Sequence, residues 1–372
     1  MSKKITIGII FGGRSQEHEV SLVSAESVMG ALDKKKYKII PIGITKKGKW
    51  VCGKGALDFL KFGKTEKEFN EVILPADPNF KGLIDLKSRK KIKLDCAFPV
   101  LHGPYGEDGT VQGLLELANI PYIGANVLAS SLGMDKVVQK QLFKQLGLPV
   151  VKYLSYQDYQ IGKIVEIILE IEKKIGYPCF VKPASLGSSV GISKAKKRRD
   201  LDLAINIAFR YDNKILIEEA VEGSREIECA VLGNEYPQAS FPGEIIPSQE
   251  FYSYEAKYID GASKTLAPAP NLTQGQIKKI QNLSIRAFKA INCSGMARVD
   301  FLFQKKTSKI YINEINTIPG FTSISMYPKL WEVSGIPYSE LLDRLIQLAL
   351  EKFRTRVRLE TSYTPKKKWY KL

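Results

Sequence analysis

The chain has 372 residues, 44% of them apolar and 26% charged, which excludes a disordered chain and predicts two or three globular domains. Two histidines exclude a histidine-rich metal centre, and five scattered cysteines with no Cys-x-x-Cys exclude a disulfide framework or zinc cage and fit a reducing compartment. The formal charge of +17 raises nucleic acid or an anionic membrane surface as partners.

The start, MSKKITIGIIFGG, imitates a signal peptide with its lysines and apolar stretch. The stretch is short, ends in Gly-Gly and lacks a small-residue cleavage site, so a first strand over 4–13 is predicted. Helical spacing follows over 19–32, then a strand over 37–44, a start that suggests a parallel sheet. Residues 46–92 are lysine-rich and weakly periodic, and read as an elaboration. A strand over 94–103, the loop PYGEDGT and a helix over VQGLLELANI complete this unit. A second unit begins near Met134 with a helix over 134–149, stopped by Gly147 and Pro149. The helix IVEIILEIEKKIG, a strand over 177–185, the small-residue loop ASLGSSVG and a strand over 214–221 come next. Residues 225–234 alternate and turn at Gly233-Asn234 like a hairpin. The stretch 242–275, rich in Pro, Gly, Ser and Tyr, reads as a long functional loop. A helix over 275–291, two strands (296–303 and 310–316) and a last helix, YSELLDRLIQLALEKF, close the chain. No apolar run approaches the roughly 18 residues of a membrane span, so a cytoplasmic enzyme is the class expected.

Those last two strands hold the first chemical signal. Period-two geometry puts Glu314 and Asn316 on one face, with Asn313 on the other, and likewise pairs Arg298 with Asp300. Asp300, Glu314 and Asn316 offer only oxygen donors, which suits Mg²⁺ completed by water and phosphate oxygens. Arg298 is placed to neutralise an oxyanion. The bland alternative is a solvated sheet face with a salt bridge.

VKPASLGSSVGISK sets a lysine, Lys182, at a strand end before a loop of exposed N–H groups and hydroxyls of the kind that wraps phosphate. It is not a Walker A loop, and an ordinary turn is the alternative. Glu19 near a helix start is either a favourable charge at the dipole or a binder of a substrate amine. His102 and Lys136 each have plain structural readings as well. The basic segments 87–93, 194–199 and 366–372 lack any nucleic-acid-binding pattern or interleaved aromatics.

In their order, GGRSQEHEVSL, LHGPYGEDGTVQG, MDK, VKPASLGSSVGISK, EIECAVLGN, YEAKY, ARVDF and NEINTIPGFTSISMYP resemble the successive signatures of the D-alanine–D-alanine ligases, members of the ATP-grasp superfamily. The resemblance runs from about residue 5 to about residue 350 and omits the middle of the first domain and the tail. It implies an α/β (α+β) fold of three-domain ATP-grasp architecture. An N-terminal parallel α/β substrate-binding domain would span 1–133, with 46–92 variable. A central domain would span 134–221, a C-terminal catalytic domain 222–355, and a basic tail 356–372.

The resemblance also implies roles. Lys136 and Lys182 would contact the phosphates of ATP, and the loop from Ser185 to Gly191, with Ser188 and Ser189, would close over them. Glu218, Glu219, Ala220 and Val221 would meet the adenine and Glu226 the ribose. Asp300, Glu314 and Asn316 would carry two Mg²⁺ (or Mn²⁺). Glu19 would hold the ammonium of the first D-alanine, with His102 near its carboxylate. Lys257 and Ser325 would bind the carboxylate of the second, with Met326 lining its pocket. Ser188 and Tyr258 would link to Glu19. Arg298 and the N–H of Gly320 would face the tetrahedral oxyanion. Retention of Tyr258 favours an amine as the second substrate, while Leu186 departs from the polar residue of some relatives. The implied reaction makes D-alanyl-D-alanine through an acyl phosphate, for peptidoglycan precursors, in a cytoplasmic homodimer without nucleic acid or membrane span. D-lactate or D-serine as the second substrate, and a basic nucleic-acid-binding protein, are the alternatives carried forward. Which group takes the amine proton stays open.

Overall fold

The computed structural model describes residues 3–247, 263–322 and 324–365. Its first strand, β1 (Ile5–Gly12), is apolar apart from Thr6 and buried from Ile7 onward, as a strand covered on both faces must be. It is followed by α1 (His18–Ala31), β2 (Tyr37–Ile44), β3 (Trp50–Cys52), α2 (Ala56–Phe62), β4 (Asn70–Ile73), β5 (Gly82–Asp85), β6 (Lys91–Lys93), β7 (Cys96–Pro99), α3 (Thr110–Leu117) and α4 (Val127–Met134). The sheet has seven strands in the order β6-β5-β4-β3-β2-β1-β7. Only β2, β1 and β7 run parallel. Residues 46–92, read as an elaboration, extend the same sheet as an antiparallel meander. Strands of three or four residues are too short for alternation to reveal.

The second sheet is antiparallel, in the order β10-β9-β11-β8. It contains β8 (Tyr153–Gln157), an edge strand that sequence reasoning passed over, β9 (Cys179–Pro183), β10 (Ser193–Ala195) and β11 (Lys214–Glu219). Helices α6 (Ile164–Lys174) and α7 (Arg198–Phe209) bury Ile167, Ile171, Leu201 and Ile205 against it. The preceding helix, α5 (Lys136–Gln145), packs elsewhere: Phe143 and the following Leu148 join the core of the third sheet.

That third sheet runs β15-β14-β12-β16-β17, with β13 paired to β12. Its strands are β12 (Ser224–Gly233), β13 (Gln238–Ala239), β14 (Gly243–Ile246), β15 (Lys264–Leu266), β16 (Gly295–Gln304) and β17 (Lys309–Asn316). The expected loop over 242–275 is therefore a hairpin at its base, with Ile245 opposite Thr265. Helix α8 (Gln274–Ala290) covers one face. Thr273 caps it through a reciprocal bond pair with Gln276. Helix α9 (Met326–Val333), absent from the sequence reading, and α10 (Tyr338–Arg356) cover the other. Both helices share a core with β1 and β7, where Phe98 meets Phe321 edge-on at 5.6 Å. The first sheet and the third are thereby fixed to each other, and the segment 317–325 lies at their junction.

Candidate active site

β16 and β17 pair antiparallel, with Asp300 opposite Glu314 and Arg298 opposite Asn316. The register breaks just beyond: Phe301 pairs with Ile312, so Asn313 is an extra residue, a β-bulge. The bulge corrects the period-two expectation. Asn313 turns to the same cleft as Glu314, and its Oδ1 accepts from Lys182 at 3.3 Å. Arg298 donates twice to Asp300, at 2.7 and 2.6 Å, and lies 3.1 Å from Glu228. Burial opposes its charge, but Asp300 and Glu228 outweigh burial and hold the guanidinium firmly protonated. The Asn316 amide donates to Asp300 at 2.9 Å, and Lys136 sits 3.4 Å from Glu314. Among the described residues no three or more His, Cys, Asp or Glu side chains are grouped so as to hold a metal ion by themselves. A hard cation here would use two carboxylates and an amide oxygen, with phosphate oxygens and water completing its shell, and the donor set fits that.

Asp135 caps α5, accepting from the N–H groups of Val137 and Val138. The cap sets Lys136 and Lys140 one turn apart on the face toward the cleft. Lys136 donates to the carbonyl of Leu186 at 2.6 Å. Lys140 is 1% exposed, lies 2.5 Å from Glu218 and donates to the carbonyl of Asn313 at 3.0 Å. Lys182 takes the other oxygen of Glu218, at 2.5 Å. Burial alone would neutralise Glu218; the two lysines overcome it and hold the carboxyl down at about 2. Lys182 and Glu218 line a cavity of about 420 Å³ between the second and third sheets. Ser189, Glu219, Ala220, Val221, Glu226 and Asp300 line it as well, whereas Ser188 borders the neighbouring cavity and Lys136 a small pocket beside Glu314.

The loop from Ser185 to Gly191 crosses to the first domain. Ser188 and Ser189 hold left-handed φ of 49° and 60°, a conformation that costs serine about 1–3 kcal/mol. The Ser188 hydroxyl donates to Glu17. Gly187 packs so closely that a Cβ there would lie 2.7 Å from Glu17 Oε2. Glu17, at the N-cap position of α1, therefore stands where the expectation put Glu19. Helical rotation accounts for the correction: His18, Val20 and Ser21 turn inward. Glu19 turns out, its side chain 59% exposed and 2.5 Å from Lys46. The helix start lies at Glu17–His18, and a two-residue shift there reverses which glutamate faces the cleft.

A second carboxylate, Glu107, accepts from the Gly103 N–H at 2.7 Å, and a Cβ on Gly103 would lie 2.8 Å from Glu17 Oε2. Burial, then the neighbouring Glu17, pushes the Glu107 carboxyl up to about 8. His102 is buried, with Nε2 3.1 Å from Ser24 Oγ and Nδ1 3.2 Å from the carbonyl of Ile318. Burial lowers its pKa, so the ring lines the site in neutral form. These groups border a second cavity, of about 280 Å³, with Gly320, Ser325 and Met326 at its wall. Lys257 and Tyr258 lie outside the described residues.

The two cavities meet: Arg298, Glu228 and Glu314 line both. The arrangement can hold a polyanion on one side and a small zwitterion on the other, with one guanidinium between them. Sequence reasoning missed Glu17, Glu107, Lys140 and Glu228. The i, i+4 lysines of MDKVVQK and the paired glutamates of EHE-type spacing, Glu17 and Glu19, were the available signals.

Two family models match, D-ala D-ala ligase N-terminus over residues 6–125 and D-ala D-ala ligase C-terminus over residues 142–347. The chain is similar to the D-alanine--D-alanine ligase of Thermoanaerobacter sp., 52% identical over 364 residues, covering 96% of this chain and 99% of that one. It is likewise similar to that of Caldicellulosiruptor bescii, 53% identical over 362 residues, covering 96% and 99%. Among solved structures, the D-alanine-D-alanine ligase from Coxiella burnetii matches with a TM-score of 0.81 and 39% identity, over 95% of this chain and 98% of that one. The VanG D-Ala:D-Ser ligase from Enterococcus faecalis matches with a TM-score of 0.83 and 38% identity, over 93% and 100%.

Proposed function

We propose that this cleft joins two D-alanines at the expense of ATP, from the premise that the chain belongs to the D-alanine–D-alanine ligase family. The enzyme is an ATP-dependent, ADP-forming acid–amino-acid ligase that supplies D-alanyl-D-alanine for peptidoglycan precursors. The observation that carries the reading is the junction of the two cavities at Arg298, Glu228 and Glu314.

In this reading the larger cavity takes ATP. Glu218, Glu219, Ala220 and Val221 border the adenine, Glu226 the ribose, and Lys136 and Lys182 the phosphates. Asp300, Glu314 and Asn316 would hold two Mg²⁺ or Mn²⁺. Bound there, the metals would neutralise charge on the transferring phosphoryl group. Glu17, in place of Glu19, receives the ammonium of the first D-alanine and keeps its carboxylate aimed at the γ-phosphate, with His102 beside it. Transfer of the phosphoryl group gives an acyl phosphate and ADP. The amine of the second D-alanine then attacks the acyl carbon, phosphate leaves, and the amine gives up a proton. Arg298 and the Gly320 N–H face the oxyanion of that step. Ser325 and Met326, with Lys257 and Tyr258 from 248–262, border the second D-alanine. The Ser188–Glu17 bond holds the loop down, which excludes water from the acyl phosphate.

We extend the reading to a cytoplasmic homodimer that binds no nucleic acid, and to the domain limits 1–133, 134–221 and 222–355; these rest on the family resemblance. Among the described residues no helix is long and apolar enough to cross a membrane. The test is to incubate the protein with ATP, Mg²⁺ and D-alanine and detect the dipeptide directly, with D-serine and D-lactate as rival acceptors. D-alanyl-D-alanine is expected as the main product. A product made faster from D-serine or D-lactate would replace the acceptor assignment, and salt-sensitive RNA or DNA binding without ADP release would overturn the whole reading.

A further inference from the structure

We infer that Lys329 recognises the carboxylate of the second, acceptor substrate. Ser325 precedes α9 and Lys329 lies four residues on, so the two share a face one helical turn apart. Both line the smaller cavity. The Ser325 hydroxyl does not cap the helix; it lies 2.8 Å from Thr322 Oγ1 and accepts the Thr322 N–H at 3.0 Å. The Lys329 ammonium donates to Thr265 Oγ1 at 3.1 Å, across to the base of the β14–β15 hairpin. Among the described residues it has no carboxylate within ion-pair distance.

The charge count of the cavity gives this its force. Among the described residues, Arg298 and Lys329 are the only cations that line it. Arg298 is already committed to Asp300 and Glu228. The anions in the same wall, Glu17, Glu107, Glu228 and Glu314, suit an ammonium and repel a carboxylate. An acceptor amino acid carries both groups, and Lys329 is the cation whose partner here is only a neutral hydroxyl. A lysine ammonium replaces such a partner readily with a charged one, because a charge-assisted bond is about twice as strong as a neutral one. The family resemblance assigns the acceptor carboxylate to Lys257 and Ser325, and Lys329 lies outside that assignment. The inference rests on the ligase reading above.

The test compares wild type with Lys329→Met, Lys329→Gln and Lys329→Arg, using D-alanine and D-alaninamide, which lacks the carboxylate, as acceptors. In Lys329→Met the KM for the acceptor should rise at least about tenfold, while the KM for ATP and for the donor D-alanine stay within about twofold. The preference of wild type for D-alanine over D-alaninamide should collapse by a similar factor, and Lys329→Arg should restore most of it. Lys329→Gln keeps an N–H donor on a somewhat shorter side chain and removes the charge, so it reads recognition even where Met disturbs the helix. An unchanged acceptor KM and an unchanged preference in Lys329→Gln would overturn the inference alone. Absence of dipeptide from wild type would overturn the ligase reading and this inference with it.

Discussion

Two pairs of carboxylates share the cleft and are surrounded in opposite ways. Asp300 and Glu314 face each other across β16 and β17, with Arg298, Lys136 and the Asn316 amide within hydrogen-bond or ion-pair reach. Glu17 and Glu107 meet a serine hydroxyl and a backbone N–H, and among the described residues neither forms a salt bridge. In the first pair negative charge is offset in advance by cations that a metal-bound polyphosphate can displace or join. In the second no cation lies within ion-pair reach among the described residues, which suits an arriving ammonium, and burial and then Glu17 push the Glu107 carboxyl up. One cleft thus provides for a polyanion and for an amino group a short distance apart. Fixed groups already in place need no reorganisation when charge develops.

The largest effect is expected where the offset pair is broken. Glu314→Gln keeps the shape of the side chain and removes one of two carboxylates available to a cation. Metal-dependent ADP release should fall about 10³-fold, while the thermal midpoint changes little because the residue is only half-buried. Activity equal to wild type across a metal titration would contradict the metal role of this strand pair.

Next in size is Lys140→Met, which removes one of the two lysines that clasp Glu218. Leaving a buried carboxylate half-compensated should cost up to about 3 kcal/mol in denaturant unfolding. It should also raise the KM for ATP more than it lowers kcat, because Lys182 would be held more tightly by Glu218. A stability unchanged within about 0.5 kcal/mol would show that Lys182 alone suffices.

Glu17 and Glu19 sharpen the other side of the comparison. Glu17→Gln should lower kcat/KM for the donor D-alanine about 10²-fold. Glu19→Gln, at an exposed pair with Lys46, should stay within about twofold. The reverse ranking would return the ammonium site to Glu19.

How much of this was legible beforehand follows from range. Long strands and helices such as β1, β16, β17, α8 and α10 announce themselves by periodicity over eight residues or more. The order of short motifs carried the family, and with it the residues proposed for the nucleotide. What escaped depends on single-residue geometry. The bulge at Asn313 reverses one side chain within a strand that otherwise alternates. The start of α1 decides between two glutamates two positions apart. Glu107 and Lys140 gain their interest only from groups 90 and 78 residues away in sequence, Glu17 and Glu218. The short helix α9, eight residues with Pro328 in its first turn, gave too little pattern to be seen, and Lys329 went unseen with it.

The smallest effect concerns the raised carboxyl of Glu107 in the second pair. An ordinary glutamate has its pKa at 4.5, whereas burial and then Glu17 push the Glu107 carboxyl up to about 8. The folded protein therefore keeps a proton that the unfolded chain gives up, so stability falls as pH rises from about 4.5 to about 8. The slope from this group is at most about 1.4 kcal/mol per pH unit. Glu107→Gln removes the titration while keeping an acceptor for the Gly103 N–H. Relative to wild type the variant should gain stability steadily between pH 5.5 and 7.5 in urea unfolding. At pH 4, where both wild-type states hold the proton, the difference should be smallest. Saturating D-alanine should flatten the wild-type slope, because an ammonium at Glu17 offsets the charge that raises Glu107. Parallel stability curves for the two proteins over that range would mean that the Glu107 carboxyl is not raised, and the contrast between the two halves of the cleft would lose its electrostatic basis.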